Sequence, residues 1–143
     1  VLLPDDYIPD VNVRLSFYKR IASAKDLNEL NDLRAELIDR FGTLPDAGRN
    51  LLRNAAIRLS AMSLGISRIE AHDKGGFIEF GEKNNVDPTY LIGLLQEQPS
   101  VFRLDGPTKL KFMITLTDRE KRLTFIDDML TAFSEHKINA LSV

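Results

Sequence analysis

Three charged residues near the end of a predicted helix are the strongest candidates for chemistry in this sequence. Glu36, Asp39 and Arg40 lie about one turn apart on the polar side of that helix. Phe41 ends the apolar stripe on the opposite side, and Gly42 follows where a helix end favours a left-handed residue. A rigid helix end that points two acids and one base outward predicts a docking surface for a partner of complementary mixed charge.

The same spacing also predicts something simpler. Glu36 and Arg40 are four residues apart with the acid first, the arrangement of a local ion pair on a helix surface. Such an exposed pair contributes only a few tenths of a kcal/mol, roughly, to stability. The two interpretations are compatible, because a pair can be local in one state and exchange partners in another.

Other residue patterns do not predict a catalytic, cofactor or metal site. Glu70 and His72 share a predicted strand face, but two ligands do not make a metal site. The consecutive glycines Gly75 and Gly76 join two predicted strands, whereas a phosphate-binding loop opens a helix. The sequence has no Gly-x-Ser-x-Gly motif and no cysteine nucleophile. We therefore expect this chain not to be an enzyme and to need no cofactor or metal of its own.

Hydrophobic periodicity predicts the elements that position the charged residues. A period of 3.6 predicts a helix at about 11–23, a second from Asp26 to Phe41 and a third at about 45–64. The inward stripe of the first helix is predicted to be Val11, Leu15, Tyr18, Ile21 and Ala22.

The period then changes to two residues. A hairpin is predicted around Lys74-Gly75-Gly76 and another around Asp105-Gly106-Pro107-Thr108. A short helix that begins after Asp87 separates them, and a last helix follows Thr117. The predicted order is ααα-ββ-α-ββ-α, an α+β fold with antiparallel strand pairs.

Composition limits the possible functions. The chain has 143 residues, which suits a single domain over 1–143, with 43% hydrophobic and 28% charged residues. Its net charge of −2 argues against a free-standing nucleic-acid binder. No apolar run is long enough to span a membrane, so we expect no membrane partner. Because the first residue is valine and every Met is internal, we expect a piece of a larger protein.

Several segments together resemble the C-terminal domain of the bacterial transcription-repair coupling factors (Mfd). The resemblance covers nearly the whole chain, and its motifs are most specific in combination. They are Leu2-Leu3-Pro4-Asp5-Asp6-Tyr7-Ile8-Pro9-Asp10, Arg14-Leu15-Ser16-Phe17-Tyr18-Lys19-Arg20-Ile21-Ala22, Glu36-Leu37-Ile38-Asp39-Arg40-Phe41-Gly42-x-Leu44-Pro45, Leu64-Gly65-Ile66, Lys74-Gly75-Gly76, Ile78-Glu79-Phe80 and Leu104-Asp105-Gly106-Pro107-Thr108.

The resemblance implies a parent that is a cytoplasmic bacterial DNA translocase with a RecG-like motor, driven by ATP and magnesium. Such a parent displaces stalled RNA polymerase from damaged DNA and recruits the excision-repair protein UvrA. The C-terminal domain is implied to be a non-catalytic, autoinhibitory domain that docks on a UvrB-like module of the same parent and masks its UvrA-binding surface. Carried over residue by residue, the contact falls on Glu36, Asp39 and Arg40.

Two alternatives from other classes remain open. A DNA-binding accessory domain would use a basic patch, and the candidates for it are Lys19, Arg20, Arg49, Arg53 and Arg58. However, no aromatic residue is interleaved among the last three as a stacking platform for bases would require. A structural cap on the motor would instead contact its partner through an exposed apolar patch.

Overall fold

The computed structural model describes residues 3–136, and it divides the chain into two compact units, Val1–Leu59 and Ser60–Val143. The boundary falls inside the third helix. The described residues form five helices and a four-stranded antiparallel sheet in the order ααα-ββ-α-ββ-α. The predicted α+β fold is therefore confirmed, whereas the prediction of a single domain over 1–143 stays a prediction.

Three helices lie in or enter the N-terminal unit: α1 (Val11–Ala22), α2 (Leu27–Phe41) and α3 (Asp46–Leu64). Their apolar faces meet in one core with the chain that precedes α1. The core residues include Leu3, Ile8, Phe17, Ile21, Leu30, Leu33, Leu37 and Leu52. The N-terminal segment is therefore part of the fold of this unit, since Leu3 and Ile8 are both buried.

The C-terminal unit contains β1 (Ile66–His72), β2 (Gly75–Phe80), α4 (Pro88–Glu97), β3 (Phe102–Asp105), β4 (Lys109–Met113) and α5 (Arg119–Glu135). The strand order β1-β2-β4-β3 joins the two hairpins through β2 and β4. One face of this sheet packs on α5, where Phe80 meets Phe133 and Phe112 meets Phe125 with ring centroids 6.0 and 4.9 Å apart.

The helix N-termini have the predicted capping residues, except at the last helix, where the cap lies one residue later. The Asp26 side chain accepts from the N–H of Glu29, and Asp87 caps α4 from the residue before Pro88. The last helix, however, is capped by Asp118, which accepts from the N–H of Lys121, rather than by the predicted Thr117.

The predicted inward stripe of α1 is partly wrong. Phe17 and Ile21 are buried, but Val11 and Leu15 are 53% and 49% exposed. At 100° per residue, Leu15 lies about 160° around the helix from Phe17, so both cannot face one core. The helix buries the side that carries its phenylalanine, which leaves a second, exposed apolar stripe.

The two consecutive glycines also lie one step from their predicted place. The tight turn is formed by Asp73 and Lys74, while Gly75 and Gly76 are the first residues of β2. A Cβ added at Gly76 would overlap the carbonyl oxygen of Glu70, and one at Gly75 would overlap that of Phe112. These glycines therefore permit β2 to lie between its two neighbouring strands, which explains their side-by-side occurrence.

We predict that Gly76→Ala destabilises the chain by about 2–3 kcal/mol, because backbone atoms rather than a flexible side chain occupy the space of the new methyl group. Gly93→Ala is the matched control. Gly93 lies within α4 with nothing within 4 Å of an added Cβ, so alanine there is expected to stabilise by about 0.5–1 kcal/mol. Urea denaturation of both variants checks the signs, and equal effects would contradict this account of Gly76.

Candidate protein-interaction site

Helix α2 holds the three predicted site residues on a segment with well-defined ends. Its N-terminus is closed by Asp26, and at its C-terminus the N–H of Gly42 donates to the Ile38 carbonyl at 2.9 Å. Gly42 has φ of 90°, in the region that favours glycine. The buried side of α2 consists of Leu30, Leu33 and Leu37, so the polar side faces away from the core.

Glu36 is the centre of an ion-pair cluster on this polar side. The guanidinium of Arg20, on α1, binds it with both nitrogens: Nη2 lies 2.7 Å from Oε1 and Nη1 lies 3.0 Å from Oε2. Arg40 Nη1 lies 3.1 Å from the same Oε2. The cluster therefore joins α1 to α2 and includes the predicted local pair of Glu36 and Arg40.

Aromatic rings lie beneath both guanidinium groups. The Cζ atoms of Arg20 and Arg40 are 5.1 and 5.6 Å from the ring centroid of buried Phe17, and Arg40 is also 5.0 Å from that of Phe41. Planar guanidinium groups suit such stacking, and each contact at an exposed site contributes about 0.5–1 kcal/mol. The two arginines are therefore held by two kinds of contact, one to a carboxylate and one to aromatic rings.

Tyr7 holds the C-terminal end of α2 in place. Its ring lies 5.8 Å from that of Phe41, and its hydroxyl donates to the carbonyls of Leu37 and Gly42 at 3.1 and 2.9 Å. The Leu37 carbonyl lies just before the last turn of α2, and the Gly42 carbonyl lies just past the end of the helix. The backbone that carries Asp39 and Arg40 is thus fixed from the core side.

The cluster stabilises the charged form of Glu36. The hydrogen bond from Arg20, together with that from Arg40, lowers the pKa of Glu36 from 4.5 to about 2, although partial burial opposes the shift. Reciprocally, the hydrogen bond to Glu36 raises the pKa of Arg20. Glu36 is therefore an anion throughout the physiological pH range.

Asp39 has a different environment. It is exposed, and within residues 3–136 it forms no ion pair. It follows Glu36 by three positions, so both carboxylates lie on one side of α2. The structure thus brings Glu36 and Arg40 into direct contact and leaves Asp39 beside them.

Arg20 is the member of the cluster that the sequence did not assign to this site. It was grouped with the other basic residues as part of a possible DNA patch. Its contact with Glu36 joins two helices, and no spacing rule along one helix can predict such a pair. The usable signal was its position three residues after Phe17, the spacing at which two side chains of one helix meet.

Two arginines of the alternative basic patch make contacts within the N-terminal unit. Arg49 pairs with Asp46 and donates to the Leu44 carbonyl, and Arg58 donates to the Ile21 carbonyl at 3.5 Å.

Residues 3–136 include neither a metal cluster nor a membrane-spanning helix. They contain no group of three His, Cys, Asp or Glu side chains placed to hold a metal ion. No helix in this part of the chain is long and apolar enough to cross a membrane.

Comparisons with known proteins agree on one family. Residues 1–91 match the model of the TRCF domain. The chain is 57% identical to the transcription-repair-coupling factor of Escherichia coli K12 over 96% of its own length, and 55% identical to that of Haemophilus influenzae Rd over 90%. It spans 12% and 11% of the lengths of these two relatives.

A solved structure agrees with the sequence matches. The crystal structure of the C-terminal domain of a transcription-repair coupling factor superposes with a TM-score of 0.67 at 25% identity. The match covers 94% of this chain and 89% of that one. We conclude that the chain belongs to the transcription-repair coupling factor family and has the fold of that family's C-terminal domain.

Proposed function

We propose that this chain is a non-catalytic regulatory domain of a DNA repair factor. In this proposal it docks on a UvrB-like module of its own parent protein and masks the surface that UvrA would bind. The parent would be the ATP- and magnesium-dependent translocase that displaces stalled RNA polymerase. Release of the domain would then make the parent competent to recruit UvrA in the bacterial cytoplasm.

The observation that carries the proposal is the cluster of Glu36 and Arg40 with Asp39 beside it on a fixed helix end. Binding immobilises side chains at a cost of about 0.5–1.5 kcal/mol for each long one. Arg40 is already held by Glu36 and by two aromatic rings. Docking through this surface would therefore immobilise few additional side chains, and its entropy cost would be small.

The chemistry of the cluster also suits a reversible clamp, by which we mean the domain docked on the module and able to be released. Charged groups at the rim of an interface select orientation and partner more than they add affinity. Arg20, Glu36 and Arg40 retain between a third and a half of their side-chain exposure. Exposed pairs of this kind contribute about 0–1 kcal/mol each, so a docked state built on them stays within reach of a conformational change.

An apolar contact is a second candidate, favoured by the exposed stripe on α1. Val11 and Leu15 lie one turn apart beside a groove of about 430 Å³ that Leu3, Pro4 and Tyr18 also line. A surface of this kind would suit a structural cap that shields an apolar region of the motor. It predicts a partner contact that charge reversal on α2 does not affect.

The charged surface is tested by reversing Glu36→Lys, Asp39→Lys and Arg40→Glu together. We expect the variant to fold and to lose about tenfold or more in affinity for a separately expressed UvrB-like module, because each charge then faces a like charge. Titration calorimetry at two salt concentrations measures the loss.

A matched control reverses two acids and one base in the other unit: Glu97→Lys, Asp127→Lys and Lys83→Glu. All three residues are exposed, and the change in net charge is the same. Equal affinities of the two triple variants would contradict docking through α2. Binding to the isolated motor that is lost in Leu15→Ser but not in the α2 variant would favour the structural cap.

The absence of catalysis is tested directly. We expect the isolated chain to hydrolyse no ATP above the blank with magnesium present, with or without DNA, because none of its described residues forms a phosphate-binding loop. The full-length parent is the positive control. Turnover by the chain that survives repurification would contradict the proposal.

The ionised state of Glu36, on which docking depends, gives a pH prediction. Its pKa is about 2 in the folded chain against an ordinary 4.5. The stabilisation from its ion pairs is therefore complete above about pH 4.5 and is lost as pH falls toward 2. We expect Glu36→Gln to be less stable than the wild type at pH 7 and the difference to shrink below pH 4. Denaturation at both pH values, with Asp39→Asn as the control, checks this, and a difference independent of pH would contradict it.

A further inference from the structure

The acceptor capacity of the Glu36 carboxylate is largely used within the chain. An ionised carboxylate has about four acceptor positions. Arg20 fills two of them and Arg40 a third, and Oε2 receives a hydrogen from each arginine. One position, on Oε1, remains, but a partner's cation that took it would lie beside the guanidinium of Arg20. Because like charges repel, close contact between that cation and Glu36 requires Arg20 to withdraw.

Arg20 is the arginine that can withdraw without disturbing the site. Arg40 is on the same helix as Glu36, four residues on, so its position follows that of the helix. Arg20 reaches over from α1, so its side chain can swing away with no change in α2; the two arginines are about equally exposed, 46% for Arg20 and 49% for Arg40. Its guanidinium forms the shortest and only two-pronged contact of the cluster, and its hydrogen bond is the largest cause of the lowered pKa of Glu36.

The net charge of the cluster also singles out Arg20. Two guanidinium groups and the carboxylates of Glu36 and Asp39 cancel, so the whole cluster presents no net charge to an approaching partner. Without Arg20 the same surface would be acidic, and it would attract a cationic patch. Arg20 thus masks the acidity on which docking with a cationic side chain would depend.

We propose that Arg20 is a competitor, built into the domain, for the partner's cationic side chain at Glu36. Docking would exchange the Arg20–Glu36 pair for a pair between Glu36 and a lysine or arginine of the module, while Arg40 keeps Glu36 oriented. One exposed ion pair replaces another, so the net gain is small and the clamp stays releasable. This inference rests on the proposed function, and it adds the element that limits docking affinity.

The test replaces Arg20 by glutamine in the intact chain and measures affinity for the UvrB-like module at low and high salt. We expect Arg20→Gln to bind about two- to fivefold more tightly at low salt, the range that corresponds to one exposed ion pair. Lys19→Gln is the matched control, because it removes the same charge from a neighbouring exposed position of α1 that has no contact with Glu36. Affinity of Arg20→Gln equal to or below that of Lys19→Gln would overturn the inference, and a drop below wild type would make Arg20 a direct contact.

A second measurement needs no partner. We expect the pKa of Glu36, followed by carbon NMR of its carboxyl group, to rise in Arg20→Gln and to stay unchanged in Lys19→Gln. An unchanged value in Arg20→Gln would show that the Arg20–Glu36 pair is not formed in solution, and the inference would fail.

The triple reversal on α2, measured in parallel, separates the two proposals. If that variant binds as the wild type does, docking does not use α2 and the proposed function fails. The same conclusion follows if the wild type does not bind at millimolar module concentration, about what a short tether provides. If the triple variant loses binding while Arg20→Gln matches Lys19→Gln, only the competitor role of Arg20 fails.

Discussion

The packing of Phe17 between α1 and α2 is the contact on which the charged surface depends. Its ring is buried and meets that of Phe41 edge-on at 6.0 Å, which fixes how the two helices face each other. That orientation places Arg20 within reach of Glu36, although sixteen residues separate them. The upper side of the same ring supports both guanidinium groups. The ion pairs at the surface therefore depend on hydrophobic packing beneath them. A cavity at Phe17 would disorganise these pairs.

This arrangement explains how an exposed charged cluster can be well ordered. Exposed ion pairs usually lose much of their Coulomb energy to solvent and to side-chain entropy. Here the guanidinium groups of Arg20 and Arg40 lie over aromatic rings, which restricts their rotamers at the same time as it adds attraction. Hydrogen bonds from Tyr7 to the last turn of α2 fix the backbone underneath. The order of the cluster thus comes from the core below it more than from the charges themselves.

The sequence predicted features set by local rules and missed those set by how elements meet. Helix ends with a capping aspartate and the glycine at position 42 follow local rules, and both were predicted. The α+β order followed from the change of hydrophobic period. The side of α1 that faces the core was not predicted correctly. Val11, Leu15 and Phe17 are all apolar, and periodicity alone cannot decide which of them is buried. Arg20 was missed for the same reason, since its partner lies on another helix. Local rules thus predicted Glu36 with Arg40, and only helix packing completes the cluster.

The proposed competition at Glu36 would have a consequence for how docking is regulated. If each docked contact replaces an internal one, the docked and released states differ little in the number of ion pairs. Their difference in free energy then depends on geometry, because the state that satisfies Glu36 with better distances and less strain is favoured. A movement of the parent that shifts the partner surface slightly would weaken the external pair while Arg20 stays available to replace it. Release would leave no uncompensated carboxylate, which removes the main electrostatic barrier to opening. A clamp of this design would therefore respond to small displacements, as the proposed release by a conformational change elsewhere in the parent requires.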